Sequence, residues 1–184
     1  MNIANKLTVL RIIMVPFFML FLMLDVTNPV YVTIALVLFI VASLTDTLDG
    51  QLARKYNMIT NFGKLMDPLA DKMLTTSAFL GLMSFGRASA WAVMLILTRE
   101  FIVSGVRLVA AGDGKVIAAS IWGKLKTVFQ MVAIIASILL LYPVIPEETA
   151  VLITDILIWL SAIITVISGA DYVIKNSDVF RQAK

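Results

Sequence analysis

The sequence predicts an all-α, polytopic membrane protein of six transmembrane helices with a short N-terminal interfacial segment, and three observations carry that expectation. Of its 184 residues, 60% are hydrophobic and only 15% are charged, against about 45–50% apolar in ordinary soluble domains, and the mean hydropathy is +0.97. Apolar runs of about 20 residues, the length that crosses a bilayer as a helix, recur along the whole chain. Short polar or turn-forming segments separate them. No stretch free of such runs is long enough for a soluble head, so the expected unit is a single transmembrane domain over residues 1–184.

The first span is expected over about residues 8–25 and ends at DVTNP, 25–29. Pro16 inside it should kink the helix and let NKLTVLR, residues 5–11, lie along the membrane surface. Met1 to Lys6 looks like the start of a secretory signal, but no small-x-small site closes the apolar run that follows. The second span is expected over 31–54. Its apolar part, Tyr31 to Leu44, is too short alone, and continuing to Arg54 gives about 24 residues and roughly 36 Å. KYNMITNFG, 55–63, then turns the chain into a third span at 65–85. GRAS at 86–89, AGDGK at 111–115 and YPVIPEE at 142–148 separate the remaining spans, expected at 89–110, 117–141 and 149–172.

Six spans put both termini on one side. Of the 15 Lys and Arg residues only Arg87 then falls on the other side, so the positive-inside rule turns the termini to the cytoplasm and makes this a cell-membrane protein. The net charge of +3 says little in itself; membrane lipid is an expected partner and nucleic acid is not. There is no cysteine and no histidine, which excludes disulfides, thiolate nucleophiles and nitrogen- or sulfur-held metals. Any metal must have oxygen ligands, which favours Mg²⁺, Mn²⁺ or Ca²⁺.

Four aspartates interrupt the apolar pattern. At about 100° per residue, Asp46, Asp49, Gly50, Ala53 and Arg54 fall within an arc of roughly 140° on the second helix. Asp67 and Asp71, spaced i, i+4, share a face of the third, with Pro68 expected in its first turn or two and Asp67 near its start. The eight residues between Arg54 and Gly63 suffice for an antiparallel return, which sets the two pairs opposite each other. Four ionised carboxylates at one depth repel strongly, so one or two divalent cations are expected, and two about 3.5–4 Å apart would suit phosphoryl chemistry. Arg54 suits a phosphate, and Gly50 and Ala53 leave room for a flat ligand against the backbone. The competing reading makes the aspartates helix caps paired with Arg54, Lys55, Lys64 and Lys72. It fits Asp67 better than Asp46, which lies two to three turns inside its helix, where an ionisable residue marks a functional site.

Written out, D-T-L-D-G-Q-L-A-R, eight residues, and G-K-L-M-D-P-L-A-D resemble the signature of the CDP-alcohol phosphotransferases, D-x2-D-G-x2-A-R-x8-9-G-x3-D-x3-D, at every fixed position. The resemblance extends to six helices and nearly the whole chain. It implies Asp46, Asp49 and Asp67 as metal ligands, Asp71 as general base that also touches a second metal, Gly50, Ala53 and Arg54 as receivers of the CDP moiety, Mg²⁺ or Mn²⁺ as cofactor, two ions in number, and a homodimer. NKLTVLR resembles the family's interfacial segment for nucleotide and diphosphate, which points to Asn5, Thr8 and Arg11; helix capping by Asn5 and headgroup snorkelling by Arg11 are the alternatives.

TREFIVSGVRL at 98–108, GKLKT at 123–127 and the opening MNIANKLTVLRI resemble the family's phosphatidylglycerophosphate synthase subgroup. That implies CDP-diacylglycerol and sn-glycerol 3-phosphate as substrates, with transfer of the phosphatidyl group and release of CMP. A phosphorylated acceptor needs cations beyond those serving the diphosphate, and Arg99, Arg107, Lys124 and Lys126 supply them. Glu100 could neutralise Arg99, and Lys126 could snorkel, so Arg107 and Lys124 are the stronger candidates. Serine, inositol phosphate and phosphatidylglycerol are alternative acceptors. A divalent-cation transporter and a scaffold with solvated charges are the readings outside this chemistry. Trp91 and Trp122 read as interfacial anchors, and Ser161, Thr165 and Gly169 as a close-packing stripe, within the bundle or across a dimer.

Overall fold

In the computed structural model the described residues are 3–55, 61–112 and 120–176, with side chains described for all of these but 3–4, 47–55, 61–62, 64–65, 108–109 and 111–112. They form α1 (Ile3–Leu24), α2 (Pro29–Lys55), α3 (Asn61–Ser84), α4 (Ala90–Gly112), α5 (Ile121–Leu139) and α6 (Glu147–Lys175). No strand occurs among them. The helices run from 19 residues in α5 to 29 in α6, about 28 to 44 Å, against a hydrocarbon layer of about 30 Å. By length and composition α1, α2, α5 and α6 each hold a segment fit to cross it, the one in α2 ending at Asp46. α3 and α4 fall short because Asp67, Asp71 and Lys72 interrupt one and Arg99, Glu100 and Arg107 the other. The helices that break the apolar rule are therefore those that carry candidate site charges.

Local chemistry sets the turns between them. Asn28 precedes Pro29, the first residue of α2, and its Oδ1 accepts from the Val30 amide at 3.0 Å, an N-cap followed by the residue type that loses nothing there. Gly86 adopts φ +67°. Around it Arg87 N donates to Leu82 O at 2.9 Å and Gly86 N to Met83 O at 3.0 Å, the 6→1 and 5→2 pair of a Schellman motif that ends α3. Ser120 caps α5, its Oγ accepting from Gly123 N at 3.1 Å. Glu147 and Glu148 occupy the first turn of α6, where the helix dipole favours negative charge.

The bundle has two halves. α1 packs on α2 and α3, while α4 and α5 pack on α6; α3 then meets α4 and α5, and α2 meets α5. One core runs through both, from Phe18, Leu22, Phe39 and Phe79 to Ile96, Ile134, Ile138 and Ile158, with the Phe18 and Phe39 ring centroids 5.6 Å apart. Large apolar side chains such as Leu20, Val37, Leu80, Phe101, Val132 and Ile163 cover the outside, as expected where the surrounding medium is lipid. At the end bearing the α3–α4 turn, Arg87 is buried and donates to Leu140 O at 3.1 Å. It also pairs with Glu147 at 3.5 Å, so the α3–α4 and α5–α6 connections are clamped together.

One boundary needs revising and two readings are made specific. α1 is one helix from Ile3, with Pro16 inside it, so NKLTVLR forms its first turns. α3 begins at Asn61 rather than near 65, which places Pro68 and Asp67 about two turns inside it; the polar residues before the apolar run continue the helix, and the proline only removes one backbone donor. The Ser161, Thr165 and Gly169 stripe is buried within the bundle, with Gln130 donating to Thr165 at 3.1 Å and the Arg99 stem lying over Gly169.

Gly81 brings α3 close to α1, since a Cβ there would stand 2.6 Å from Leu22 Cδ2, and Leu22 is itself fully buried. Gly81→Ala is expected to lower stability by about 1–3 kcal/mol through overpacking. Thermal unfolding in detergent micelles should register that loss, while Gly105→Ala, with nothing near its added Cβ, should show none.

Candidate active site

The first turns of α1 are aimed at the aspartates of α2 and α3. Arg11 has no solvent exposure; its Nη1 donates to Asp46 Oδ1 at 2.7 Å and its Nε to Ala42 O at 3.2 Å. Thr8, three residues earlier and so on the same face, donates its hydroxyl to Asp67 Oδ1 at 2.5 Å. Asn5, one turn earlier again, is also buried. Arg11 therefore does not snorkel, and Asn5 lies inside α1 rather than capping it. One helix face touches a carboxylate from each of the next two helices.

Asp71 follows Asp67 by one turn of α3 and is only partly exposed. It lies within electrostatic reach of Asp46 on α2, and also of Lys72, Lys126 and Glu100. Asp46, with 38% of its side chain exposed, and the partly exposed Asp71 are like charges on neighbouring helices, an arrangement that favours a bound cation. The donors are carboxylate and hydroxyl oxygens, which fits a hard divalent ion. Asp49, Gly50, Ala53 and Arg54 stand on the last turns of α2, and their side chains lie outside the described residues. Among the described residues no three acidic groups gather around one point.

A second polar cluster borders this one. Glu100 of α4 takes Lys126 of α5 in a close ion pair and Arg99 Nη1 at 3.3 Å. Lys126 also donates to Gln130 Oε1 at 3.2 Å, and Gln130 in turn reaches Thr165 of α6. Arg99 Nη2 donates to Ser168 Oγ at 2.8 Å. Two of the four cations expected at the acceptor phosphate thus share one carboxylate. Arg107 is exposed, with its guanidinium carbon 5.4 Å from the Tyr172 ring centroid. Lys124 is exposed in the first turn of α5. Sequence reasoning treated Glu100 only as a neutraliser and passed over Gln130 and Ser168. The available signal was an acid and an amide inside apolar spans, Gln130 four residues after Lys126.

A groove lined by Gly86, Glu147 and Asp155 lies at the opposite end of the bundle, remote from these carboxylates.

The family model described as CDP-alcohol phosphatidyltransferase matches residues 1–167. A relative from Bacillus subtilis named CDP-diacylglycerol--glycerol-3-phosphate 3-phosphatidyltransferase is 42% identical, the match covering 98% of this chain and 97% of the relative. A probable phosphatidylglycerophosphate synthase of Mycobacterium tuberculosis is also 42% identical, over 94% of this chain and 80% of its own length. A Haemophilus influenzae protein with the same name as the Bacillus relative is 34% identical, over 93% and 91%.

Removing the Glu100 carboxylate would leave Arg99 and Lys126 buried with their shared counter-charge gone, a change that costs about 3–5 kcal/mol in comparable settings. Glu100→Ala is expected to lower the unfolding temperature in micelles accordingly. Glu100→Gln, which keeps the shape and a hydrogen-bonding oxygen, should lose less.

Proposed function

Because the chain belongs to the CDP-alcohol phosphatidyltransferase family, we propose that it transfers the phosphatidyl group of CDP-diacylglycerol to sn-glycerol 3-phosphate, giving phosphatidylglycerophosphate and CMP. The observation that carries the choice of acceptor is the cation cluster of Arg99, Lys126 and Arg107 next to the carboxylates, with Lys126 in electrostatic reach of both Arg99 and Asp71. A phosphorylated alcohol bound by those cations would present its hydroxyl toward Asp71. The names of the long-matching relatives agree with that pair of substrates.

Members of the family work with divalent cations. Here Asp46, Asp49, Asp67 and Asp71 would hold them, as two Mg²⁺ or Mn²⁺ ions. Bound there, they would polarise the β-phosphorus of the diphosphate and neutralise charge developing on CMP. Arg11 and Thr8 fix the rotamers of Asp46 and Asp67. Asn5, Thr8, Gly50, Ala53 and Arg54 receive the CDP moiety. Asp71 takes the proton from the acceptor's 1-hydroxyl as that oxygen bonds to the β-phosphorus and the bond to the CMP oxygen breaks. The lipid tails stay in the bilayer and the acceptor arrives from the cytoplasm, so the carboxylate end and both termini face the cytoplasm of the cell membrane. The working unit is a homodimer, as the family resemblance implies.

Assaying CMP release from CDP-diacylglycerol with each alcohol tests the acceptor. Turnover is expected with sn-glycerol 3-phosphate; turnover with serine, inositol phosphate or phosphatidylglycerol in its place would reassign it. Cation flux into proteoliposomes without nucleotide would move the protein to another class. Asp71→Asn is expected to reduce turnover by about 10²–10⁴-fold, the usual contribution of a general base, while CDP-diacylglycerol still binds. Near-normal turnover in that variant would remove Asp71 from the role.

A further inference from the structure

Tyr172 sits near the end of α6, 2% exposed, and its hydroxyl has no hydrogen-bond partner among the described residues. A buried phenol ordinarily finds one. Its surroundings indicate what the partner is. The Arg107 guanidinium lies over its ring at 5.4 Å, a cation–π contact that holds the ring without using the hydroxyl. Arg99, with its side chain nine-tenths buried, spends Nη1 on Glu100 and Nη2 on Ser168, yet its Nε–H has no partner.

α4 and α6 pack together with Arg99 against Ser168 and Gly169. A Cβ at Gly169 would come within 2.8 Å of Arg99 Cγ, so the arginine stem is laid directly on the α6 backbone. Tyr172 is one turn further on, and helical side chains lean toward the N-terminus, here toward Arg99. Arg99 is in electrostatic reach of both Tyr172 and Arg107. The neighbouring carboxylate, Asp171, pairs with Lys175 through Oδ1 at 2.7 Å, and its buried Oδ2 has no hydrogen-bond partner among the described residues.

Two buried donors are thus left without acceptors beside two guanidiniums that repel each other. Arg99, Arg107 and Lys126 outnumber Glu100, so the cluster carries net positive charge. An anion with several acceptor oxygens and more than one negative charge satisfies all of these groups at once, and a phosphate monoester has both properties.

We propose that the Tyr172 hydroxyl is a specificity-determining donor to the phosphate of the acceptor, acting with Arg99 Nε–H at the base of a site whose rim is Arg107. This rests on the reading of the acceptor as a phosphorylated alcohol and deepens it, because selection falls on the phosphate group and not on the glycerol.

Tyr172→Phe removes the hydroxyl and keeps the ring under Arg107. Calorimetric titration of the full chain in micelles with sn-glycerol 3-phosphate, and separately with inorganic phosphate, should give dissociation constants at least about tenfold weaker in the variant, the scale of one hydrogen bond to a charged group. The KM for CDP-diacylglycerol should not rise, and the ligand-free unfolding temperature should not fall. Equal affinities in the two proteins would overturn the assignment and leave the acceptor reading intact. A variant less stable without ligand would mean that the hydroxyl serves the fold, and would also overturn it. Phosphate binding that depends on Tyr172 in a protein that does not turn over glycerol 3-phosphate would uphold the site and reject that acceptor. Wild-type protein that binds neither phosphate probe would reject both.

Discussion

A guanidinium with no solvent exposure, held between a backbone carbonyl and a carboxylate, is the contact on which the reactive end of this bundle depends. Arg11 joins α1 to α2 through Ala42 and Asp46, and the same face of α1 reaches α3 through Thr8 and Asp67. Taking a guanidinium fully out of water is costly unless a partner sits close by in fixed geometry. Asp46, with 38% of its side chain still exposed, supplies that partner for Arg11, and the α1 contacts join three helices at this end. No α1 side chain among the described residues pairs with Asp71, and its neighbours of opposite charge lie on its own helix and on α5. Two fixed carboxylates beside a less constrained one form the arrangement that the proposed metal-assisted displacement, with one proton acceptor, calls for.

The second cluster follows the same rule in the other half of the molecule. Glu100 holds two cations in a layer where either alone would be hard to bury. The polar chain continues through Gln130 to Thr165 and through Arg99 to Ser168, so α4, α5 and α6 are joined by hydrogen bonds where lipid-facing surfaces provide no hydrophobic drive for association. The proposed acceptor site is therefore built from the groups that hold its half of the bundle together.

Much of this was legible in the residue order. Apolar runs marked the six helices, four of which hold a segment of spanning length and composition, and the i, i+4 spacing of Asp67 and Asp71 places them on one face. Two boundaries were not legible. The polar residues Asn61 to Lys64 read as a turn although they are helical, because hydropathy marks where a helix enters lipid and not where it begins. The start of α1 likewise lies before the hydropathy signal, at Ile3 rather than near residue 8. Partner choice was the least legible feature. The pairing of Arg99 with Glu100 was readable from their adjacency, but contacts between helices also commit Lys126 to Glu100 and lay Arg107 on Tyr172. Tyr172 itself carries no motif, and only its buried hydroxyl and its neighbours distinguish it.

The clamp made by Arg87 lies at the far end from the chemistry. It ties the α3–α4 and α5–α6 connections together through a backbone carbonyl, so any relative tilt of the two halves would turn about that end. Over a lever of about 30 Å, the thickness of the hydrocarbon layer, each degree of rotation about that pivot displaces the opposite end by roughly 0.5 Å. Tilts too small to disturb the core would thus widen or narrow the gap between the carboxylates and the acceptor cations by an appreciable fraction of a bond to a ligand. The Arg87 seal at one end therefore bears on the geometry of the polar clusters at the other.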